Sequence, residues 1–207
     1  MPDYTLIDPL KSNHQRVNAN NEALTSATTR TPFLSALIRG ESFDVEINTI
    51  AVTVATNVGL IYIKNTNTTE VLYLDHLFFE YGDSTNGVST QDFITLNMVA
   101  NPTTGTLITA GTALTPFNRL IGSAAPATGT FLGNTGIQTI TNGTTGYTIQ
   151  LTSNSAVAGT FNTAIDIALM PNQAWACTYD GLASNTSQNI SFGVKFHYEA
   201  LDQFKGA

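Results

Sequence analysis

Residues 71–81 read VLYLDHLFFEY, and this run of branched and aromatic side chains predicts a long β-strand. The stretch before it, VGLIYIK at residues 58–64, predicts a second strand that is apolar on both faces. Further back, Phe43, Val45 and Ile47 alternate with polar residues, which is the period of a strand with one buried face. Three successive strands therefore start the predicted sheet structure.

The rest of the chain continues in the same way, with Gly, Asn and Pro between apolar runs. Further strands are predicted at residues 93–100, 106–109, 115–121, 129–132, 137–141, 147–151, 161–170, 174–179 and 190–198. A long insertion of short strands between two longer groups fits a jelly roll or a variant of it. We therefore expect an all-β, jelly-roll-like β-sandwich over residues 31–207.

One short helix is predicted where this domain begins, in the stretch TPFLSALIRG at residues 31–40. Thr31 is a residue type that caps helices, Pro32 suits the first helical position, and Gly40 is suited to end it. No other segment carries a comparable helix signal.

Residues 1–30 differ from the domain because they have two prolines, few apolar residues and no sustained period. Four apolar side chains cluster near the start: Tyr4, Leu6, Ile7 and Leu10. One interpretation is a frayed terminus. The other is an extended N-terminal arm that packs on a neighbouring subunit through these four residues.

Composition and charge exclude several classes of function. The chain has 42% hydrophobic and only 11% charged residues, so it can bury a core but lacks the charge of a disordered segment. Its net charge is −7, and the eight basic residues are scattered, which argues against binding nucleic acid or an anionic membrane. The N-terminus has no signal-peptide pattern, so we expect folding in a cytoplasm.

The segment from Phe93 to Ile165 carries a single charged residue, Arg119. A solvent-exposed surface normally carries more charge than this. The segment is either a Thr- and Asn-rich region hydrated by hydroxyls and amides or a subunit interface, whose centre is depleted of charge. We expect an oligomer, a homotrimer, in which this segment and Arg119 contact the partner.

Motifs for catalysis, cofactors or metals are missing from the sequence. His14, His76 and His197 have no ligand-like spacing, and each is expected to be a strand or loop histidine with its hydrogen bonds satisfied. Cys177 is the only cysteine and is expected to be a small buried thiol without a disulfide. No serine lies in a nucleophile elbow and no phosphate loop is present. We therefore expect no enzymatic activity, no cofactor and no metal.

Two stretches resemble a diffuse group of structural proteins of tailed bacteriophages, of the capsid decoration or cement type. They are GLIYIKNT at residues 59–66 and NPTTGTLI at residues 101–108, the latter followed by Asn118 and by Ile121-Gly122-Ser123. The similarity covers residues 40–198 and rests on turn and strand motifs. It implies a virion protein with a β-sandwich body, and it assigns no functional residues.

The leading expectation is therefore a capsid decoration or cement protein that binds the major capsid protein on the outer surface of the head. The alternative is a tail or receptor-binding module that recognises host glycans through exposed aromatic residues. The candidate aromatics form two clusters, which fit a core with a few rim positions equally well: Tyr73, Phe78, Phe79 and Tyr81, and Trp175, Tyr179, Phe192, Phe196 and Tyr198. A hydrolase on a β-sandwich is a third class, but the sequence shows no paired carboxylates for it.

Overall fold

The structure is a computed structural model that describes residues 5–7, 14–17, 23–24, 31–52, 58–81, 91–135, 138–154, 159–181 and 188–201. By its internal contacts the chain divides into two units, Met1–Thr31 and Pro32–Ala207. The first unit contains three short strands, β1 (Thr5–Ile7), β2 (His14–Val17) and β3 (Ala23–Leu24). They pair antiparallel in chain order. The N-terminal segment therefore folds back on itself twice, whereas the sequence predicted an arm that runs extended.

In its described residues the second unit, the body, contains two antiparallel sheets and two helices. Its helices are α1 (Pro32–Arg39) and α2 (Thr106–Ala110). Its strands are β4 (Ser42–Val52), β5 (Val58–Asn65), β6 (Glu70–Tyr81), β7 (Gln91–Ala100), β8 (Thr112–Ala113), β9 (Phe117–Asn118), β10 (Gly129–Gly133), β11 (Thr144–Asn154), β12 (Gly159–Leu169), β13 (Ala174–Gly181) and β14 (Gln188–Ala200).

The strands assemble into a six-stranded sheet, in the order β11-β7-β13-β5-β10-β8, and a five-stranded sheet, in the order β12-β6-β14-β4-β9. The predicted all-β sandwich is thus confirmed, and the helix predicted at residues 31–40 is confirmed as α1. These strand orders do not establish a jelly-roll connectivity, so that finer assignment stays a prediction.

The main core lies between the two sheets. Its most completely buried side chains include Phe79, Phe192 and Phe196 from the five-stranded sheet and Trp175 and Tyr179 from the six-stranded sheet. Phe196 stacks on both Phe43 and Phe131, with ring centroids 5.4 and 5.1 Å away. Burial of aromatic side chains at this density is the main term that stabilises such a domain.

A smaller second core explains why α2 exists. It lies on the other face of the six-stranded sheet, where Leu107 of α2 is fully buried against Tyr62, Val99 and Ile140. Because β5 is buried on both faces, its run of apolar residues needs this second cover.

Three short strand predictions differ from the structure. Residues 106–109 were predicted as a strand because Thr and Ile favour strands, but burial of Leu107 folds them into α2. Of residues 115–121 only Phe117–Asn118 form a strand. Of residues 137–141, Thr139 and Thr141 make isolated bridges, and Ile137 lies outside the described residues.

Candidate subunit interface

The charge-poor segment Phe93–Ile165 contributes a large exposed surface to the body. Every residue from Thr141 to Thr148 is exposed, and so are most residues from Gly111 to Thr128. This surface consists mainly of hydroxyl, amide and small apolar groups. A partner could cover it without desolvating charges, which would otherwise oppose association.

Large apolar side chains are also exposed, and five of them come from two adjoining elements. These are Leu34 and Ile38 on α1 (42% and 49% exposed) and Phe117, Leu120 and Ile121 after β8 (62%, 38% and 88% exposed). We call these five residues the apolar patch. Monomeric proteins seldom expose several large apolar side chains together, and such patches mark interaction sites.

Asn118 fixes the second element of the apolar patch against the first. Its Nδ2 donates a hydrogen bond to the carbonyl oxygen of Gly40, at the end of α1, over 2.7 Å. Its Oδ1 accepts a hydrogen bond from the backbone N–H of Leu120 at 2.9 Å. Gly40 has φ 76°, a left-handed conformation that suits glycine at a helix end. The exposed side chains are therefore held on a defined backbone.

Arg119, the single charge of the segment, is engaged within the chain. Its guanidinium lies 5.0 Å from the centre of the Phe33 ring, and its Nη1 is 3.8 Å from Oδ1 of Asp44. Its backbone N–H donates to the carbonyl oxygen of Ser42 at 2.9 Å. Arg119 thus connects α1 to β4, and the expectation that it contacts a partner stays a prediction.

Beneath α1 lies a buried histidine between two carboxylates. Nδ1 of His197 is 2.9 Å from Oδ2 of Asp75, and Nε2 is 3.1 Å from Oε1 of Glu199. Burial lowers the pKa of His197, but the hydrogen bonds and charges of Asp75 and Glu199 outweigh this effect, so the pKa lies above its ordinary value of 6.5. Only the protonated ring can donate to both carboxylates at once.

Aromatic rings enclose this histidine. Tyr73 of β6 stacks on it with centroids 5.4 Å apart, and Phe33 of α1 meets it edge-on at 6.1 Å. Phe33 therefore touches the histidine on one side and Arg119 on the other. Together with the fully buried Ala36, this ring packs α1 onto the five-stranded sheet.

The described part of the chain offers little that resembles catalytic or metal chemistry. Both carboxylates beside His197 are occupied by that histidine, and burial raises the pKa of the Cys177 thiol. Among the described residues no group of three or more His, Cys, Asp or Glu is placed to hold a metal ion. Two cavities, of about 270 and about 250 Å³, fall below the ~300 Å³ at which ligand pockets usually begin.

Most aromatic residues singled out in the sequence lie in the core. Phe79, Trp175, Tyr179, Phe192, Phe196 and Tyr198 are buried, whereas Tyr73, Phe78 and Tyr81 are half-buried. Their interpretation as core with a few rim positions is confirmed, as is that of Cys177 as a buried thiol. Most of the rings that the sequence suggested for glycan stacking are therefore inaccessible, whereas Phe117 and Tyr147, outside these two clusters, are exposed.

The N-terminal residues proposed as partner contacts cannot be placed in the same detail. Tyr4 and Leu10 lie outside the described residues, and Leu6 and Ile7 belong to β1, of which only the backbone is described. Their partner contacts stay predictions.

Sequence reasoning did not identify Leu34 and Ile38 as surface residues, although a signal was present. Six of the eight residues of PFLSALIR are apolar, which is more than the single face that packs on the sheet can bury.

The comparisons with known proteins add no assignment. No family model, no curated protein and no solved structure matches this chain. Among the described residues no helix has the length and apolar character needed to cross a membrane.

Proposed function

We propose that this protein is a structural component of a tailed-bacteriophage virion, a decoration or cement protein on the outer surface of the head. The observation that carries the proposal is the apolar patch, which adjoins the uncharged surface of the charge-poor segment. A cement protein requires a stable β body and broad contact surfaces rather than an active site. The resemblance of residues 40–198 to phage structural proteins points in the same direction.

The copies are proposed to form a homotrimer through the apolar patch. Covering its side chains would remove apolar surface from water at about 25 cal/mol per Å², before the costs of association are subtracted. In a closed symmetric trimer the apolar patch of every copy is covered by its neighbours, whereas in a monomer the patch stays exposed to solvent. The N-terminal unit would then contact the major capsid protein or an adjacent subunit.

The tail-module alternative has less support, because the aromatic residues suggested for glycan stacking lie mostly in the core. Cryo-electron microscopy of intact particles separates the two. We expect density for this protein on the head shell, and density on the tail would contradict the proposal.

The oligomer can be tested by replacing Ile121 with aspartate. Ile121 is 88% exposed, so Ile121→Asp should leave the fold intact, but an interface would have to bury an unpaired carboxylate. We expect the molar mass measured by light scattering at micromolar concentration to fall at least threefold, because the trimer contact is lost. Met170→Asp, at an exposed position just after β12, is the matched control and should keep the wild-type mass. A wild-type chain that is already monomeric would refute the trimer.

A further inference from the structure

The edge strands of the body differ sharply in how they are protected. Among the described residues, β8 and β9 have only two residues each. Edge strand β12 carries Asp166 at φ 47°, where its register with β6 shifts between Ala164 and Ile167. Short length, charge and bulges are the usual means by which proteins prevent an edge from pairing with another chain.

Edge strand β11 lacks most of this protection. Its eleven residues, TTGYTIQLTSN, contain no charge and no proline. One bulge lies near its start, between Thr145 and Tyr147, and from Tyr147 to Asn154 the register with β7 is unbroken. These eight residues give about 26 Å of regular edge, at ~3.3 Å per residue. No described strand pairs with the other side of β11.

We infer that β11 joins two copies of this chain, pairing antiparallel with its own counterpart across a two-fold axis. The two six-stranded sheets would then become one continuous sheet. Charge favours a second copy as the occupant. Each chain has a net charge of −7, so two copies repel wherever their carboxylates approach, and β11 offers an edge without any.

The side chains of β11 also complement themselves. Ile149 is half-buried and packs against the core, whereas Thr148 and Gln150 are exposed. Residues directly opposite each other in an antiparallel pair lie on the same face of the sheet. A two-fold axis near Ile149 therefore places this side chain against its own copy and Thr148 against Gln150. An isologous contact needs only this one surface.

This inference goes beyond the proposed function and does not depend on it. If the apolar patch forms trimers, β11 links one trimer to the next, as a net over the shell requires. If the patch does not, β11 still forms dimers. In either case pairing through β11 at least doubles the mass of the assembly.

The decisive variant is Thr148→Lys combined with Gln150→Lys. It places four like charges across the proposed two-fold axis, and like charges directly opposite each other destabilise strand pairing. We expect its molar mass by light scattering to be no more than half that of the wild type. The control, Thr160→Lys with Asn162→Lys, adds the same charge at exposed positions of β12 and should keep the wild-type mass. Equal masses for the wild type and the β11 variant would overturn the inference.

Cross-linking provides a second measurement that does not depend on charge. Thr148→Cys combined with Gln150→Cys should give a covalent dimer on mild oxidation, because these positions meet across the axis. The wild type should give none, since its only cysteine, Cys177, is buried. Thr160→Cys with Asn162→Cys is the matched control. If the β11 cysteine variant formed no covalent dimer with excess oxidant present, the inference would be overturned. This result would count even if the lysine variant proved unstable.

Discussion

His197 links the stability of the body to pH. Below the ordinary pKa of 6.5, folded and unfolded chains both carry the protonated ring, and its pairing with Asp75 and Glu199 contributes in full. As the pH rises above this value, the unfolded chain loses its proton first. The contribution therefore shrinks until the pH passes the raised pKa of the folded state. Above that point one of the two ring nitrogens presents a lone pair to its carboxylate partner.

We predict that the free energy of unfolding is lower at about pH 8 than at about pH 6, on the two sides of the ordinary pKa of 6.5, and that His197→Gln removes this part of the difference. The variant should also be less stable at pH 6, by about 1–3 kcal/mol, because two largely buried carboxylates lose their shared cation. Urea unfolding at both pH values measures both effects. His76→Gln, at an exposed position of β6, should behave as the wild type does. An unchanged slope in His197→Gln would contradict this account.

The sequence predicted that His197 is a strand histidine with satisfied hydrogen bonds, and this is confirmed. It did not predict the partner. Asp75 is 122 positions away, next to His76 in the chain, and it reaches His197 only because β6 and β14 pair in a register that sets His197 opposite Tyr73. Register between distant strands depends on the whole core, so a local pattern cannot supply it.

At the scale of elements, the long strands could be predicted and the short ones could not. Strands β5, β6, β7, β13 and β14 lie within a few residues of their predicted positions, because eight or more residues of apolar pattern outweigh local exceptions. Helix α2 has five residues, too few for a period, and β-branched residues favour a strand there. Burial of Leu107 and the two flanking glycines decide its conformation instead.

Gly105 is the residue that we expect to control this element. It has φ 137°, and a Cβ there would lie 2.3 Å from the carbonyl oxygen of Thr139 and 2.9 Å from Cα of Ile140. Neither backbone atom can move aside easily, so Gly105→Ala should cost at least about 2 kcal/mol of stability.

The control variant, Gly122→Ala, tests backbone conformation alone, because Gly122 has φ 93° and a Cβ added there would meet no atom within 4 Å. It should cost about 1 kcal/mol. Urea unfolding compares the two, and equal losses would contradict a steric role for Gly105.

At the scale of the whole molecule, the division between Thr31 and Pro32 predicts that the two units are separable. Deleting residues 1–30 should leave the body folded, since by its internal contacts the body forms a unit of its own. Circular dichroism and the unfolding temperature of the truncated chain measure this. If the N-terminal unit attaches the protein to its neighbours, the deletion should also weaken binding to particles or lower the oligomer mass. Particle binding as tight as that of the full chain would contradict this role.

The uncharged character of the exposed surface has a consequence for the conditions under which copies would hold together. Dissolved ions weaken the interaction between two charges, because they screen charges over about 10 Å at ~0.1 M ionic strength. Where both contacting surfaces are neutral, salt has little effect on the contact. Contacts between apolar groups weaken instead on cooling, since near room temperature their driving force is the entropy of water. The contacts through Ile121, Phe117 and β11 would therefore depend little on salt and would loosen in the cold, whereas the net charge of −7 on each copy would oppose association more strongly at low ionic strength.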